Sequence, residues 1–337
     1  MSYEKVSLRT LILSLALTMC SVTTVFAATT SLTDVDHEEI TIWSQGIRLA
    51  GDIYKPKGLK DNDTLPGILL VPGWGGNKNN LQKNFGPQFA VQGFIVLAFD
   101  YKGWGESDGP LVAVGPLPAA PAGTVVSVQA TQIRQVVDPL SMSQDVRAAL
   151  QYLGGESQVI PDNLGIWGTS LGGGLALVAA QSDDRIKAFV TQMGPVNYQF
   201  NLREIPDLYV QNLEAQVARG ERPPFPGPEG TPNPELKGYP DWTAFKRFNP
   251  LANLDNLQAP TLIIDAENET LFQREKNGLL LYETIKDRLD SKYVVYPGAH
   301  YDMYEGENLE AARYEASQWF IKYLKNDSAD AGEEASN

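Results

Sequence analysis

The sequence is short of the residues that build cross-links and metal sites. It has one cysteine, Cys20, and two histidines, His37 and His300, in 337 residues. One cysteine cannot form a disulfide within the chain, and two distant histidines with so little cysteine could hardly make a zinc site. Positive charge is also scarce. The 27 Lys and Arg stand against 41 Asp and Glu, a net charge of -14 at pH 7. That balance argues against nucleic acid or an anionic membrane as a partner. Past the N-terminus no apolar run approaches the ~20 residues that a membrane span needs. There is no internal repeat. What the chain does have is core material: hydrophobic residues make up 43%, enough for one large α/β domain or two small ones.

The N-terminus reads as a targeting segment. Lys5 and Arg9 supply a positive start, Leu11 to Met19 an apolar middle, and Val25-Phe26-Ala27 a cleavage site. Residues 1–27 are therefore expected to be a signal peptide and the protein to be secreted or periplasmic. An uncleaved anchor is the rival, disfavoured by a short run broken by Ser and Thr. A lipid anchor on Cys20 is weaker still, because Met19 stands where such signals carry a small residue. At the other end, residues 325–337 form a polar, acidic tail of the kind that stays disordered.

Between these ends, apolar runs alternate with helical spacing. Residues 28–37 look like a loose leader, with His37 expected to be solvated. Glu39–Trp43 and Ile47–Tyr54 read as an antiparallel hairpin. Gly67–Val71, Phe94–Phe99, Leu164–Trp167, Ile186–Met193, Pro260–Ile264 and Tyr293–Tyr296 read as buried strands. Leu81, Phe85 and Phe89 share a helix face. Ser143–Leu153, capped by Ser141 or Ser143, Leu171–Ala180, Phe272–Leu289 and Leu309–Leu324 read as further helices. Strands alternating with helices mean a mostly parallel sheet covered on both faces. Two stretches break the pattern. Residues 110–138 are rich in Pro, Ala and Gly. Residues 195–250 are dense in Pro and aromatics, and read as a lid insertion over the sheet's carboxyl edge or as a segment whose aromatics anchor it to the core.

The chemistry gathers at Asn163 to Gly174. A buried strand turns sharply at Gly168-Thr169-Ser170-Leu171-Gly172 and enters a helix of small residues. Strand, G-x-S-x-G and helix are the setting of a nucleophile elbow. A Cβ at 168 or 172 would strike the neighbouring backbone. The helix N-terminus faces any oxyanion that develops beside Ser170. A serine needs a base. His37 precedes the sheet, whereas His300 follows an apolar strand at the edge where Ser170 emerges. Asp265, Glu267 and Glu269 follow the preceding strand, and any of them gives the order nucleophile, acid, histidine.

Four motifs in this order are Pro72-Gly73-Trp74-Gly75-Gly76, Asp100 to Gly109, Gly168 to Gly172, and Pro297 to His300. By them the chain resembles the α/β-hydrolase superfamily, within it the dienelactone-hydrolase-like and cocaine-esterase or X-Pro-peptidase-like serine hydrolases. The resemblance implies an α/β-hydrolase fold over residues 28–324, with the lid insertion at about 195–250. Relatives read G-x-x-D after the strand that precedes the histidine. Ala266 then takes the glycine place and Glu269 the acid place, with Glu for Asp. The resemblance also implies an oxyanion hole at the N–H groups of Trp74 and Leu171, leaving the Trp74 side chain to line the acyl pocket, and no metal or organic cofactor. The Asp100 to Gly109 motif is expected to be a structural turn. The expected activity is that of an exported carboxylesterase acting on a small ester, apolar or aromatic in character. A peptidase or amidase is the close alternative, and an inactive binding protein on the same scaffold the distant one.

Overall fold

The computed structural model describes residues 34–227 and 236–325. The expected signal peptide lies outside them, as do the acidic tail beyond Lys325 and part of the insertion's proline run.

The antiparallel hairpin forms as β1 (Val35–Ser44) and β2 (Ile47–Pro56), followed by β3 (Leu65–Val71). Two short helices, α1 (Lys78–Asn84) and α2 (Gly86–Ala90), lead to β4 (Ile95–Phe99). The first irregular stretch carries β5 (Leu111–Ala113), β6 (Ala130–Gln132) and β7 (Val136–Val137). Then come α3 (Pro139–Gly154), β8 (Val159–Thr169), α4 (Leu171–Ala180) and β9 (Ile186–Gln192). The insertion holds α5 (Tyr198–Asn201), α6 (Asp207–Ala218), β10 (Tyr239–Pro240) and α7 (Trp242–Arg247). The chain closes with β11 (Thr261–Ala266), α8 (Gly278–Ile285), β12 (Ser291–Tyr296) and α9 (Gly306–Leu324).

Eight strands form one sheet in the order β1-β2-β4-β3-β8-β9-β11-β12. β1 to β2 and β2 to β4 are antiparallel; every later neighbour is parallel. Strand alternation sends successive residues to opposite faces. Leu69, Val71, Ile95, Leu97 and Phe99 join α3, α4 and α8 in one core. Ile68, Leu70, Val96 and Ala98 join α1, α2 and α9 in the other. Both faces are covered, which is why the strands read as unbroken apolar runs.

Several local expectations change. β1 begins at Val35, inside the supposed leader, and pairs His37 with Tyr54. His37 is not simply solvated. Its ring stacks on Tyr54 at 4.9 Å, and its Nε2 lies 3.1 Å from Asp52 Oδ1. The signal missed was the partner strand, since Asp52 and Tyr54 lie on β2. Asp138, not Ser141 or Ser143, caps α3, its carboxylate accepting from the N–H groups of Leu140 and Ser141. Pro139 starts the helix four residues earlier than apolar spacing suggested, because the first helical position tolerates proline. The helix expected over 272–289 is confined to Gly278–Ile285, after a short 3-10 turn at Arg274–Lys276.

The two irregular stretches meet. β7 pairs in parallel with β10, Val136 opposite Tyr239. Tyr198, Phe245 and Phe248 of the insertion are buried and pack together, with Tyr198 5.4 Å from Phe245 and 5.3 Å from Phe248. These aromatics serve the core, while Tyr209 stays exposed.

Candidate functional site

Ser170 stands between β8 and α4 with φ +50° and ψ −130°. A side chain rarely adopts that backbone, and it persists only where the surroundings dictate it. Here they do. The Ser170 N–H donates to the Gln192 carbonyl on β9 at 2.9 Å, and its own carbonyl accepts from the Gly173 N–H at 2.8 Å. A Cβ on Gly168 would overlap the Gly172 carbonyl, and one on Gly172 would overlap the carbonyls of Val71 and Pro72. The two elbow glycines are thus required by close approach of helix and neighbouring strand.

His300 comes to the same edge from β12. Beyond the β11–β12 ladder the two loops keep running side by side. The Glu267 N–H donates to the Tyr296 carbonyl at 2.8 Å and the Asn268 N–H to the Gly298 carbonyl at 2.9 Å. That continuation carries Glu269 to His300, where Nδ1 lies 2.7 Å from Glu269 Oε2. The other carboxylate oxygen accepts from the Leu271 N–H at 2.8 Å. Both side chains of the pair are only 2% exposed.

The other two carboxylates lie elsewhere. Glu267 is exposed. Asp265 lies within β11 itself, not in the loop after it. It is buried on β11 and accepts from the Tyr293 hydroxyl at 2.9 Å. Burial, with Glu269 nearby, pushes its carboxyl up to about 7.

Ser170, His300 and Trp74 line one cavity of about 380 Å³. Among the described residues no hydrogen bond joins Ser170 Oγ to His300; in sites without substrate such bonds are often long and tighten on binding. Trp74 and Leu171 have free backbone donors: among the described residues neither N–H finds a backbone acceptor. The Trp74 ring lines the cavity but is not left free to do so. Its indole N–H donates to the Lys237 carbonyl at 2.7 Å, and the ring stacks on Phe245 at 5.3 Å. The insertion is thereby pinned to the loop that carries the first of these donors, and its Leu236 and Lys237 also line the cavity.

The Asp100 to Gly109 motif forms a turn. Asp100 is buried, its carboxylate accepting from the N–H groups of Lys78 and Glu106 at 2.8 and 2.9 Å. Lys78 follows the Trp74 loop, so the turn braces that loop from behind.

Some site residues escaped the sequence reading. Tyr304 and Thr169 share a hydrogen bond of 2.8 Å between their hydroxyls, and Thr169 immediately precedes Ser170. Asn77, Asn80 and Asn84 line the cavity from α1; their spacing of three and four was visible in the sequence. Among the described residues no cluster of His, Cys, Asp and Glu fit to hold a metal is present. No helix among them is long and apolar enough to cross a membrane.

Comparison with known proteins agrees with this architecture. Residues 66–226 match the family model described as alpha/beta hydrolase fold. An uncharacterized 31.7 kDa protein of the traX-finO intergenic region of Escherichia coli is 26% identical over 308 residues, covering 83% of this chain and 97% of that protein. Thiohydrolase apmlB of Arthrinium phaeospermum is 28% identical over 183 residues, 53% of this chain and 50% of its own. The crystal structure of hypothetical protein PA2218 from Pseudomonas aeruginosa superposes with a TM-score of 0.63 at 22% identity, over 88% of this chain and 95% of that one. The chain has the α/β-hydrolase fold, with a mostly parallel central sheet flanked by helices.

Proposed function

We propose that the protein is a serine hydrolase of small-molecule esters, a carboxylesterase working through Ser170, His300 and Glu269. The observation that carries this is the buried 2.7 Å contact of Glu269 with His300, at a cavity shared with a serine on a strained elbow. Ser170 Oγ attacks the ester carbonyl carbon while His300 Nε2 takes the hydroxyl proton. Glu269 holds the Nδ1–H tautomer and stabilises the imidazolium. The N–H groups of Trp74 and Leu171 receive the oxyanion, each such donor being typically worth about 3 kcal/mol of barrier. The imidazolium gives its proton to the departing alcohol. Water, deprotonated by His300, then releases the acid and frees Ser170.

The motif order supports placing the chain near the dienelactone-hydrolase-like and cocaine-esterase branch. The likeness to a thiohydrolase extends the reading to thioesters, which undergo the same acyl transfer. The first 27 residues support export to the periplasm or medium.

A fluorophosphonate probe tests the reading. It should label Ser170, and Ser170→Ala should abolish both labelling and turnover of 4-nitrophenyl acetate while leaving the circular dichroism unchanged. Undiminished turnover by Ser170→Ala would place the chemistry elsewhere.

A further inference from the structure

The cavity around Ser170 and His300 has one wall that catalysis does not use. It comes from α1 and its flanks, where Asn77, Asn80, Leu81, Asn84 and Phe85 line the cavity. These positions form a single helix stripe, spaced three and four apart. In a helix packed on a core such a stripe is ordinarily apolar throughout. Leu81 and Phe85 follow that rule and are buried. The three asparagines do not.

Asparagine is a weak helix former, because its side chain competes for backbone hydrogen bonds. Asn77 has a structural reason to be present: it caps α1, its Oδ1 accepting from the Asn80 N–H at 3.3 Å. Asn80 and Asn84 have none of that kind. Among the described residues neither side chain makes a hydrogen bond within the chain, and Asn84 is half-buried. Asn80, which is exposed, and Asn84 line the cavity that Ser170 also lines, each with carboxamide donors and an acceptor to offer.

Charge narrows what they meet. The chain carries 41 acidic residues, yet among the described residues no Asp or Glu lines this cavity, and Lys237 is the one charged residue that does. The Glu269 charge is sheltered behind His300. A cationic substrate would find no carboxylate to pair with among the described lining residues. An anionic one would approach against the net charge of -14 and meet a single exposed lysine at the insertion. A neutral group with oxygens or amides suits the wall on both counts.

Resting on the ester-hydrolase reading, we propose that Asn80 and Asn84 are specificity residues, and that the natural substrate is an ester with one neutral arm rich in hydroxyl, ether, carbonyl or amide groups. The arm lies along α1, while the rings of Trp74, Tyr301 and Tyr304 contact the less polar remainder.

Matched ester pairs test this on both sides of the scissile bond. For the acyl arm, 4-nitrophenyl 4-acetamidobutanoate is compared with 4-nitrophenyl octanoate. For the alcohol arm, 2-(2-methoxyethoxy)ethyl acetate is compared with heptyl acetate by pH-stat. Each kcat/KM is divided by the ester's hydroxide-catalysed rate constant. The polar member should lead by at least about tenfold in one of the two pairs, since each neutral hydrogen bond is worth a few-fold to tenfold. Asn80→Leu and Asn84→Leu should each shrink that ratio about fivefold, and Asn80→Ser, which keeps a donor and acceptor, should shrink it less. The ratio is taken within one preparation, so loss of active enzyme through misfolding cannot imitate the effect. A lead of the apolar member in both pairs, or ratios that the leucine variants leave unmoved, overturns the assignment. Turnover of 4-nitrophenyl acetate by wild type and not by Ser170→Ala keeps the hydrolase reading standing whichever way the ratios fall; its absence would overturn both.

Discussion

Glu269 Oε2 lies 2.7 Å from His300 Nδ1, and the pair is reached only because the β11 and β12 loops continue their ladder for two residues past the sheet. The contact makes the three candidate acids separable by experiment. On the proposed mechanism, Glu269→Gln preserves shape but can present an amide N–H to Nδ1 and so select the wrong tautomer; in a comparable triad that change costs about 10⁴ in kcat. Glu267→Gln alters an exposed side chain and should leave kcat within about twofold of wild type, as surface substitutions generally do. Steady-state kinetics on 4-nitrophenyl acetate, with circular dichroism as the fold control, decides it. Near wild-type kcat for Glu269→Gln would remove Glu269 from the mechanism.

The sheet was legible in the sequence because its strands are buried on both faces. Gly67–Val71 and Phe94–Phe99 carry no polar interruption, and apolar runs of that length between turn residues have few other uses. Ser170 and His300 stood out as candidates for a different reason: glycine at 168 and 172 and a single histidine behind a strand leave few choices. The acid was not. Asp265, Glu267 and Glu269 lie within five residues, and their fates depend on a loop pairing with no local signature. Side-chain partners from distant elements were equally hidden. Asp52 and Tyr54 meeting His37, Tyr304 meeting Thr169, and the Trp74 indole held by the Lys237 carbonyl are tertiary events that propensity does not encode.

Burial makes Asp265 a source of pH dependence in stability. Its carboxyl is pushed up to about 7, chiefly by burial, and unfolding returns it to an ordinary value near ~4. The folded state therefore holds the proton more tightly. Its advantage is complete below pH ~4 and falls as pH rises toward about 7, at up to about 1.4 kcal/mol per unit. Asp265→Asn stays neutral and can still accept from the Tyr293 hydroxyl. The stability of this variant relative to wild type should rise from pH 4.5 to 7 and then level off. Urea unfolding of both proteins across that range gives the comparison, and a difference independent of pH would contradict it.

The proposed export makes a prediction about mass. On the proposed export, Lys5, Arg9, the Leu-rich run and Val25-Phe26-Ala27 would direct cleavage after Ala27. Protein recovered from the periplasm or medium should begin at Ala28 and contain no cysteine. Intact mass spectrometry reads this directly. Exported protein that still carries residues 1–27 would show an uncleaved anchor instead.

The hydroxyls of Thr169 and Tyr304, 2.8 Å apart, tie the elbow to the turn that begins with His300. Thr169 immediately precedes Ser170 in the chain, and Tyr304 lies four residues after His300. Burial raises the Tyr304 phenol well above its ordinary value, so it stays a neutral donor or acceptor throughout the working range. Tyr304→Phe deletes one hydroxyl and leaves the Thr169 hydroxyl unpaired in a buried site. That should cost about 1 to 2 kcal/mol of stability. Thr169→Val removes the other partner, and the double variant should be less destabilised than the sum, with a coupling of about 1 kcal/mol. If the bond also sets the distance between the elbow and His300, Tyr304→Phe should lower kcat several-fold and leave KM for 4-nitrophenyl acetate nearly unchanged. A purely structural bond would lower stability alone. Additive stabilities in the double-mutant cycle would show that the two hydroxyls do not interact in solution, and a kcat equal to wild type would confine their effect to the fold.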